Sequence, residues 1–68
     1  MNKMQEIQVH LPTSRIQGDV LFYNSWGIFA SFTGQIQARS CHDSADRYGV
    51  GSIADDPKAI AEAIKTLP

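Results

Sequence analysis

The chain has few of the residues that mark several large classes of protein. Cys41 is its only cysteine, so no disulfide can form within the chain, and a reducing compartment such as the cytoplasm is expected. Its uninterrupted apolar stretches are too short to span a bilayer. Residues 1–11 alternate polar and apolar side chains and lack the apolar core of a signal peptide. We therefore expect a cytoplasmic protein without a membrane segment.

An excess of basic residues is also missing. Six Lys and Arg residues stand against seven Asp and Glu residues, for a formal net charge of −1, and the six are scattered along the chain with no run among them. Non-specific binding to nucleic acid depends on neutralising several phosphates together. The linear sequence therefore argues against a nucleic acid partner.

What the chain does have is the composition of a small globular protein. Its 68 residues are 43% apolar and 19% charged, which predicts a single domain over residues 1–68 with one modest core. Four strands are predicted, at about residues 5–11, 19–23, 26–32 and 36–40, and residues 13–18 are predicted to be a connecting loop. The first strand is predicted because Ile7, Val9 and Leu11 alternate with polar residues.

A helix is predicted at the C-terminal end, over about residues 57–67. Asp56 is a good N-cap and Pro57 suits the first helical position. The apolar residues of the segment fall on one stripe of a helix, and they are Ile60, Ala63, Ile64 and Leu67. Residues 41–55 are rich in Gly, Asp and Ser and are predicted to be mainly loop, with a short edge strand at 48–53 as an alternative.

The fold class that follows is α+β, a three- to four-stranded antiparallel meander with one C-terminal helix packed on one face. A two-residue turn at Asn24 and Ser25 pairs Leu21 with Ile28. A three-residue turn at 33–35 pairs Phe32 with Ile36, and we prefer it to a two-residue turn because it separates apolar from polar residues. The face under the helix then carries Leu21, Tyr23, Trp26, Ile28, Ala30, Phe32, Ile36 and Ala38. The opposite face carries Val20, Phe22, Phe29, Ser31, Gln35, Gln37 and Arg39.

Catalytic and metal-binding patterns are weak. Cys41, His42 and Asp43 are the residue types of a nucleophilic triad, but consecutive residues of an extended chain point to opposite sides. With His10 added, the chain offers only three nitrogen or sulfur ligands, too few for a structural zinc site. Residues 49–52, Gly-Val-Gly-Ser, do not lead directly into a helix, so we interpret them as a tight turn rather than a phosphate loop. We expect no enzyme activity, no metal and no cofactor.

A pattern near the end of the chain resembles a known family. Residues 48–53, Tyr-Gly-Val-Gly-Ser-Ile, are followed by Asp56-Pro57 and a helix containing Glu62-Ala63-Ile64. This order of glycine, small polar residue, acidic cap and helix is similar to the ending of HicB-like antitoxin domains and of many short phage proteins. The resemblance implies a sheet of about three strands followed by one helix, and it assigns no functional residue.

The most informative surface is the face that one helix cannot cover. It holds large apolar side chains beside polar ones, and contiguous apolar patches on a surface usually mark contact with another chain. The residues concerned are Val20, Phe22, Phe29, Gln37 and Arg39. Two alternatives to a binding surface stay open: the faces are reversed, or loop 41–55 folds over the patch.

From this surface we predict a non-enzymatic protein-interaction module, typical of a small bacterial or phage accessory or inhibitor protein. It would act through the open sheet face or an edge strand on a protein partner or on its own copy, as a possible homodimer. The alternative is a nucleic-acid-associated, HicB-like domain that binds through Phe22, Phe29 and Arg39, where aromatic rings stack on bases.

Overall fold

Two helices and five strands make up the chain in a computed structural model that describes residues 2–43 and 45–68. Met1 and Ser44 lie outside the described residues, so part of the predicted 41–55 loop does too. The elements are α1 (Lys3–Gln8), β1 (Arg15–Gln17), β2 (Val20–Tyr23), β3 (Trp26–Ala30), β4 (Gln35–Ser40), β5 (Arg47–Ser52) and α2 (Pro57–Lys65). The strands form one antiparallel sheet in chain order, β1 to β5, so every neighbouring pair is a hairpin. The α+β class and the antiparallel meander are confirmed, with five strands instead of three to four.

The C-terminal helix α2 forms for the reasons that the sequence suggested. The Asp56 side chain caps it by accepting a hydrogen bond from the Lys58 amide at 3.0 Å, and Pro57 occupies the first turn. The helix buries Ile60, Ala61 and Ile64 and ends two residues earlier than predicted. Among the described residues, no helix combines the length and hydropathy that crossing a bilayer requires.

The N-terminal segment is a helix, so the predicted strand at 5–11 is wrong. The Asn2 side chain accepts a hydrogen bond from the backbone N–H of Gln5, and the Gln5 side chain accepts one from the backbone N–H of Asn2. Both bonds are 2.9 Å long, and together they form a complete capping box. Met4, Ile7 and Leu11 are buried at helical spacing, whereas Val9 is 65% exposed. Packing against α2 therefore selects the helical stripe over the alternating pattern.

Two strands lie where loop was predicted. β1 is only three residues long, and it turns into β2 through Gly18 and Asp19, with Gly18 in the left-handed region at φ +62°. β5 contains the Gly-Val-Gly-Ser segment interpreted as a tight turn, so that interpretation is wrong, and the alternative of an edge strand is correct. Its pairing with β4 shifts by one residue between Ile36 and Gln37, which makes a β-bulge at Val50.

The strand registers decide which side chains share a face. The pairs Leu21–Ile28 and Tyr23–Trp26 are present as predicted. In the next hairpin the pairs are Ala30–Ile36 and Ile28–Ala38, so the predicted register was wrong by two residues. A shift of two residues leaves every strand residue on its predicted face, because side chains alternate with a period of two. Phe32, predicted in the covered face, instead lies in the β3–β4 loop and is fully exposed.

Both helices pack on the same side of the sheet. The core between the two layers is apolar and joins α1 and α2 to four of the strands, and its residues are Met4, Ile7, Leu11, Leu21, Trp26, Ile28, Ile36, Ala38, Val50, Ile60, Ala61 and Ile64. Trp26 also packs edge-on against Tyr48, with ring centroids 5.5 Å apart. Phe22 and Phe29 belong to neither the core nor its partly buried margin.

Candidate functional site

The side of the sheet that carries no helix is the candidate functional site, and we call it the open face. Its side chains alternate along each strand with core residues on the other side. Its members include Arg15, Gln17, Val20, Phe22, Gly27, Phe29, Gln35, Gln37, Arg39, Arg47 and Gly49. The five residues predicted from the sequence as an interaction surface, Val20, Phe22, Phe29, Gln37 and Arg39, are all brought together here.

One line of directly paired residues crosses all five strands of the open face. The consecutive pairs are Arg15–Phe22, Phe22–Gly27, Gly27–Arg39 and Arg39–Arg47. Directly opposed side chains lie on the same side of an antiparallel sheet, with Cβ atoms about 5 Å apart. The chain has three arginines, and all three are in this line and exposed to solvent. We call the line the arginine row.

The arginine row was only partly visible in the sequence. Arg39 was predicted in the surface, but Arg15 and Arg47 were missed because β1 and β5 were predicted as loop. A signal for Arg15 did exist, since Gly18-Asp19 is a two-residue turn of the kind that joins hairpin strands. The alignment of Arg47 with Arg39 depends on the bulge in β5, which no local pattern announces.

A second line of residues lies beside the arginine row. Gln17 pairs with Val20, and Phe29 pairs with Gln37, and the β2–β3 register places Val20 opposite Phe29. Val20, Phe22 and Phe29 are all half-buried, which means that neighbouring side chains cover only part of each. The centre of the open face is thus apolar and is flanked on both sides by arginine and glutamine.

A hollow lies at the centre of the open face, above Gly27. Its volume is about 230 Å³, and it is lined by Val20, Phe22, Gly27, Phe29, Arg39, Ser40 and Cys41. A Cβ atom added to Gly27 would stand 3.5 Å from Val20 Cγ1 and 3.6 Å from Phe22 Cε1, at ordinary van der Waals contact. The missing side chain of Gly27 therefore opens the hollow between the Phe22 ring and Arg39.

Charge is distributed unequally between the sheet and the rest of the chain. The five strands contain the three arginines and no acidic residue, whereas the remaining residues carry three lysines against seven acids, a net of −4. Within residues 2–43 and 45–68 the only ion pair joins Lys65 to Glu62 on α2, at 3.7 Å. The Arg15 guanidinium lies 5.9 Å from the centroid of the Phe22 ring, at cation–π distance. The open face is therefore positive although the chain as a whole is slightly acidic.

The candidate triad is not assembled. His42 Nε2 lies 3.1 Å from Ser25 Oγ, and the Asp43 carboxylate accepts from the Ala45 amide at 3.0 Å. Among the described residues, no hydrogen bond joins the side chains of Cys41, His42 and Asp43, and all three are exposed. The same part of the chain contains no group of three or more His, Cys, Asp or Glu residues that could hold a metal ion.

Known proteins offer no guide to this site. No protein-family model matches the chain, and neither a curated protein nor a solved structure matches it. The resemblance to HicB-like domains therefore stays a prediction. Any functional conclusion has to come from the surface itself.

Proposed function

We propose that the chain is a non-enzymatic interaction module that engages another macromolecule through its open face. The observation that carries this proposal is the cluster of Val20, Phe22 and Phe29, half-buried on a side of the sheet that no helix covers. Complete burial of one Phe side chain stabilises a protein by roughly 1.5–3 kcal/mol. A partner that covers the cluster therefore gains the part of this burial free energy that folding alone does not provide.

A binding role fits the hollow better than a catalytic one. Among the described residues that line it, Arg39 is the only one with a charged side chain, and the remainder are apolar or small. A catalytic pocket needs several convergent polar groups, such as a nucleophile held by a base that is itself oriented. The His42–Ser25 pair lies in exposed turns, and among residues 2–43 and 45–68 no third group makes a hydrogen bond to the His42 ring.

The charge of the open face argues against a second copy of the chain as the partner. A symmetric face-to-face dimer brings the same surface of both protomers together, which would set three arginines against three others. The two edge strands are also poorly suited to pairing with a strand of a second copy, because β1 has only three residues and β5 is bulged. We therefore propose a monomer, of 7.5 kDa, that works on a foreign partner as a small accessory or inhibitor protein. Light scattering should return the monomer mass, and a stable dimer would instead favour self-association.

Site-specific photocrosslinking tests which surface is used. A photoreactive phenylalanine analogue at Phe29 should crosslink the protein to a macromolecular partner, a protein or a nucleic acid, in cells that produce it. The same analogue at Phe32 is the matched control, because Phe32 is fully exposed in the β3–β4 loop, outside the open face. Equal capture from both positions, or capture from Phe32 alone, would contradict the proposal.

A further inference from the structure

We propose that the partner of the open face is a single-stranded nucleic acid, an inference that rests on the proposed function and names its ligand. The sequence argued against nucleic acid because six basic residues are scattered along a slightly acidic chain. Folding removes that objection locally, since it collects every arginine in one row and leaves all seven acids outside the strands.

The arginine row has the shape that a linear polyanion requires. It runs perpendicular to the strands, and strands lie about 4.8 Å apart, so the row spans about 19 Å from β1 to β5. Arg15 stands at one end, and Arg39 and Arg47 stand side by side at the other. Guanidinium groups bind phosphate oxygens in a bidentate manner, and among the described residues none of these three arginines is in an ion pair with a carboxylate.

The aromatic residues lie between the two groups of arginines. Phe22 belongs to the arginine row, and Phe29 lies in the adjacent line on the neighbouring strand. Bases of an unpaired strand stack on such rings with little sequence preference, because every base has a π-face. Both rings line the hollow above Gly27, which leaves space beside them for a base.

A polypeptide partner fits this surface less well. The backbone N–H and C=O groups of β2, β3 and β4 are used on both sides by neighbouring strands, so the open face offers none to a peptide lying across it. A peptide in that position would leave its own backbone groups without partners, which is costly when they are buried. A nucleic acid backbone makes no such demand. A duplex is disfavoured too, because its bases are already stacked on one another.

Fluorescence anisotropy with labelled oligothymidylate of about 15 nucleotides measures this binding directly. We expect saturable binding that weakens with salt, with a slope of log K against log salt of about −2, which is roughly −0.7 for each of three phosphate contacts. Arg39→Gln and Arg47→Gln should each make the slope shallower by about 0.7. Lys58→Gln is the matched control, because it removes the same charge from α2, and it should leave the slope unchanged.

A second pair of variants tests stacking. Phe29→Ala should weaken binding by about 5- to 100-fold, the range typical of a stacked base, whereas Phe32→Ala should not change it. Gly27→Ala should also weaken binding, and it preserves the fold because its Cβ meets its neighbours at ordinary contact distances. A duplex of the same length should bind more weakly than the single strand.

Several results would overturn the inference. They are the absence of oligothymidylate binding at low salt, an equal loss with Lys58→Gln, or tighter binding of the duplex. If the crosslinker at Phe29 captures a protein while oligothymidylate does not bind, the inference is wrong and the proposed function stands. If Phe29 captures nothing and oligothymidylate does not bind, both are wrong.

Discussion

The two faces of this sheet are built from alternate residues of the same five strands, yet they have opposite chemistry. On the covered face Leu21, Ile28 and Ala38 are fully buried beneath two helices. On the open face their immediate neighbours in sequence include Phe22, Phe29 and Arg39, none of them fully buried. The contrast shows how a chain of 68 residues separates stability from binding: one face supplies the core, and the other is free to carry a surface that folding does not need.

The difference between the two faces is tested most strongly by two single variants that place a charge at adjacent positions of β3. Ile28→Asp puts a carboxylate into the apolar core, and we expect the chain to be unfolded, since such burial costs more than the few kcal/mol that hold a small domain together. Phe29→Asp should remain folded, because position 29 faces solvent in the free protein. Circular dichroism with urea titration measures both. If Phe29→Asp unfolds as well, the open face belongs to the core.

A smaller effect should separate Ile7 from Val9. These residues lie on one face if the segment is a strand and on different sides if it is α1. Ile7 is fully buried, so Ile7→Ala should lower the free energy of unfolding by about 2–5 kcal/mol. Val9 is 65% exposed, and Val9→Ala should change the free energy of unfolding by less than about 0.5 kcal/mol. Similar losses of stability at both positions, measured by urea unfolding, would instead support a strand in this segment.

The N-terminal cap of α1 should contribute less to stability than the Ile7 side chain does. Asn2→Ala removes half of the capping box, and we expect a loss of about 1 kcal/mol in the free energy of unfolding. Asn24→Ala is not a suitable control, because Asn24 has φ 53° and its loss would strain a turn. Thr33→Ala, in the exposed β3–β4 loop, is a better reference. An Asn2 variant as stable as the Thr33 variant would mean that α1 does not depend on its cap.

The smallest expected change has the opposite sign. Gly27→Ala should raise the free energy of unfolding by about 0.5–1 kcal/mol, because glycine loses more backbone entropy than alanine when it is fixed in a strand. The same variant should bind oligothymidylate more weakly, since the methyl group narrows the hollow. A gain in stability with a loss of binding would show that Gly27 serves the open face. A loss of both would show that the glycine is needed for folding.

Local signals account for what could be predicted from the sequence. The Asp56-Pro57 start of α2 and the Asn24-Ser25 turn are each encoded within a few residues, and both are present in the structure. The segment at 2–11 contains two signals, the Asn2–Gln5 capping box and an alternating pattern, and packing against α2 decides between them. The presence of Phe22, Phe29 and Arg39 on one face followed from the strand period of two and from whether each turn has an even or odd number of residues, which was correct although the β3–β4 register was off by two residues.

The rest of the candidate site could not be predicted because it is not local. The arginine row joins residue 15 to residue 47 through four successive hairpin registers, and an error in any of them displaces a member. β1 has a single apolar residue, Ile16, so no periodic pattern exists to be detected. Net charge also conceals the row, because the acids that balance it lie in helices, turns and loops.

The bulge in β5 reverses which side of the sheet the following residues of that strand face. Val50 is buried and a Cβ atom on Gly51 would meet Ile60 at 3.1 Å, so two consecutive residues are directed towards α2. If the intact strand paired with β4 without a bulge, the register would continue from Ile36–Gly51 to Arg39–Tyr48, placing the tyrosine beside Arg39 and turning Arg47 towards the helices. The bulge thus decides whether a cation or an aromatic ring stands beside Arg39 at the sheet's margin. Deleting Val50 itself would keep the cation there, because Gln37–Gly49 and Arg39–Arg47 would then follow Ile36–Gly51 without interruption.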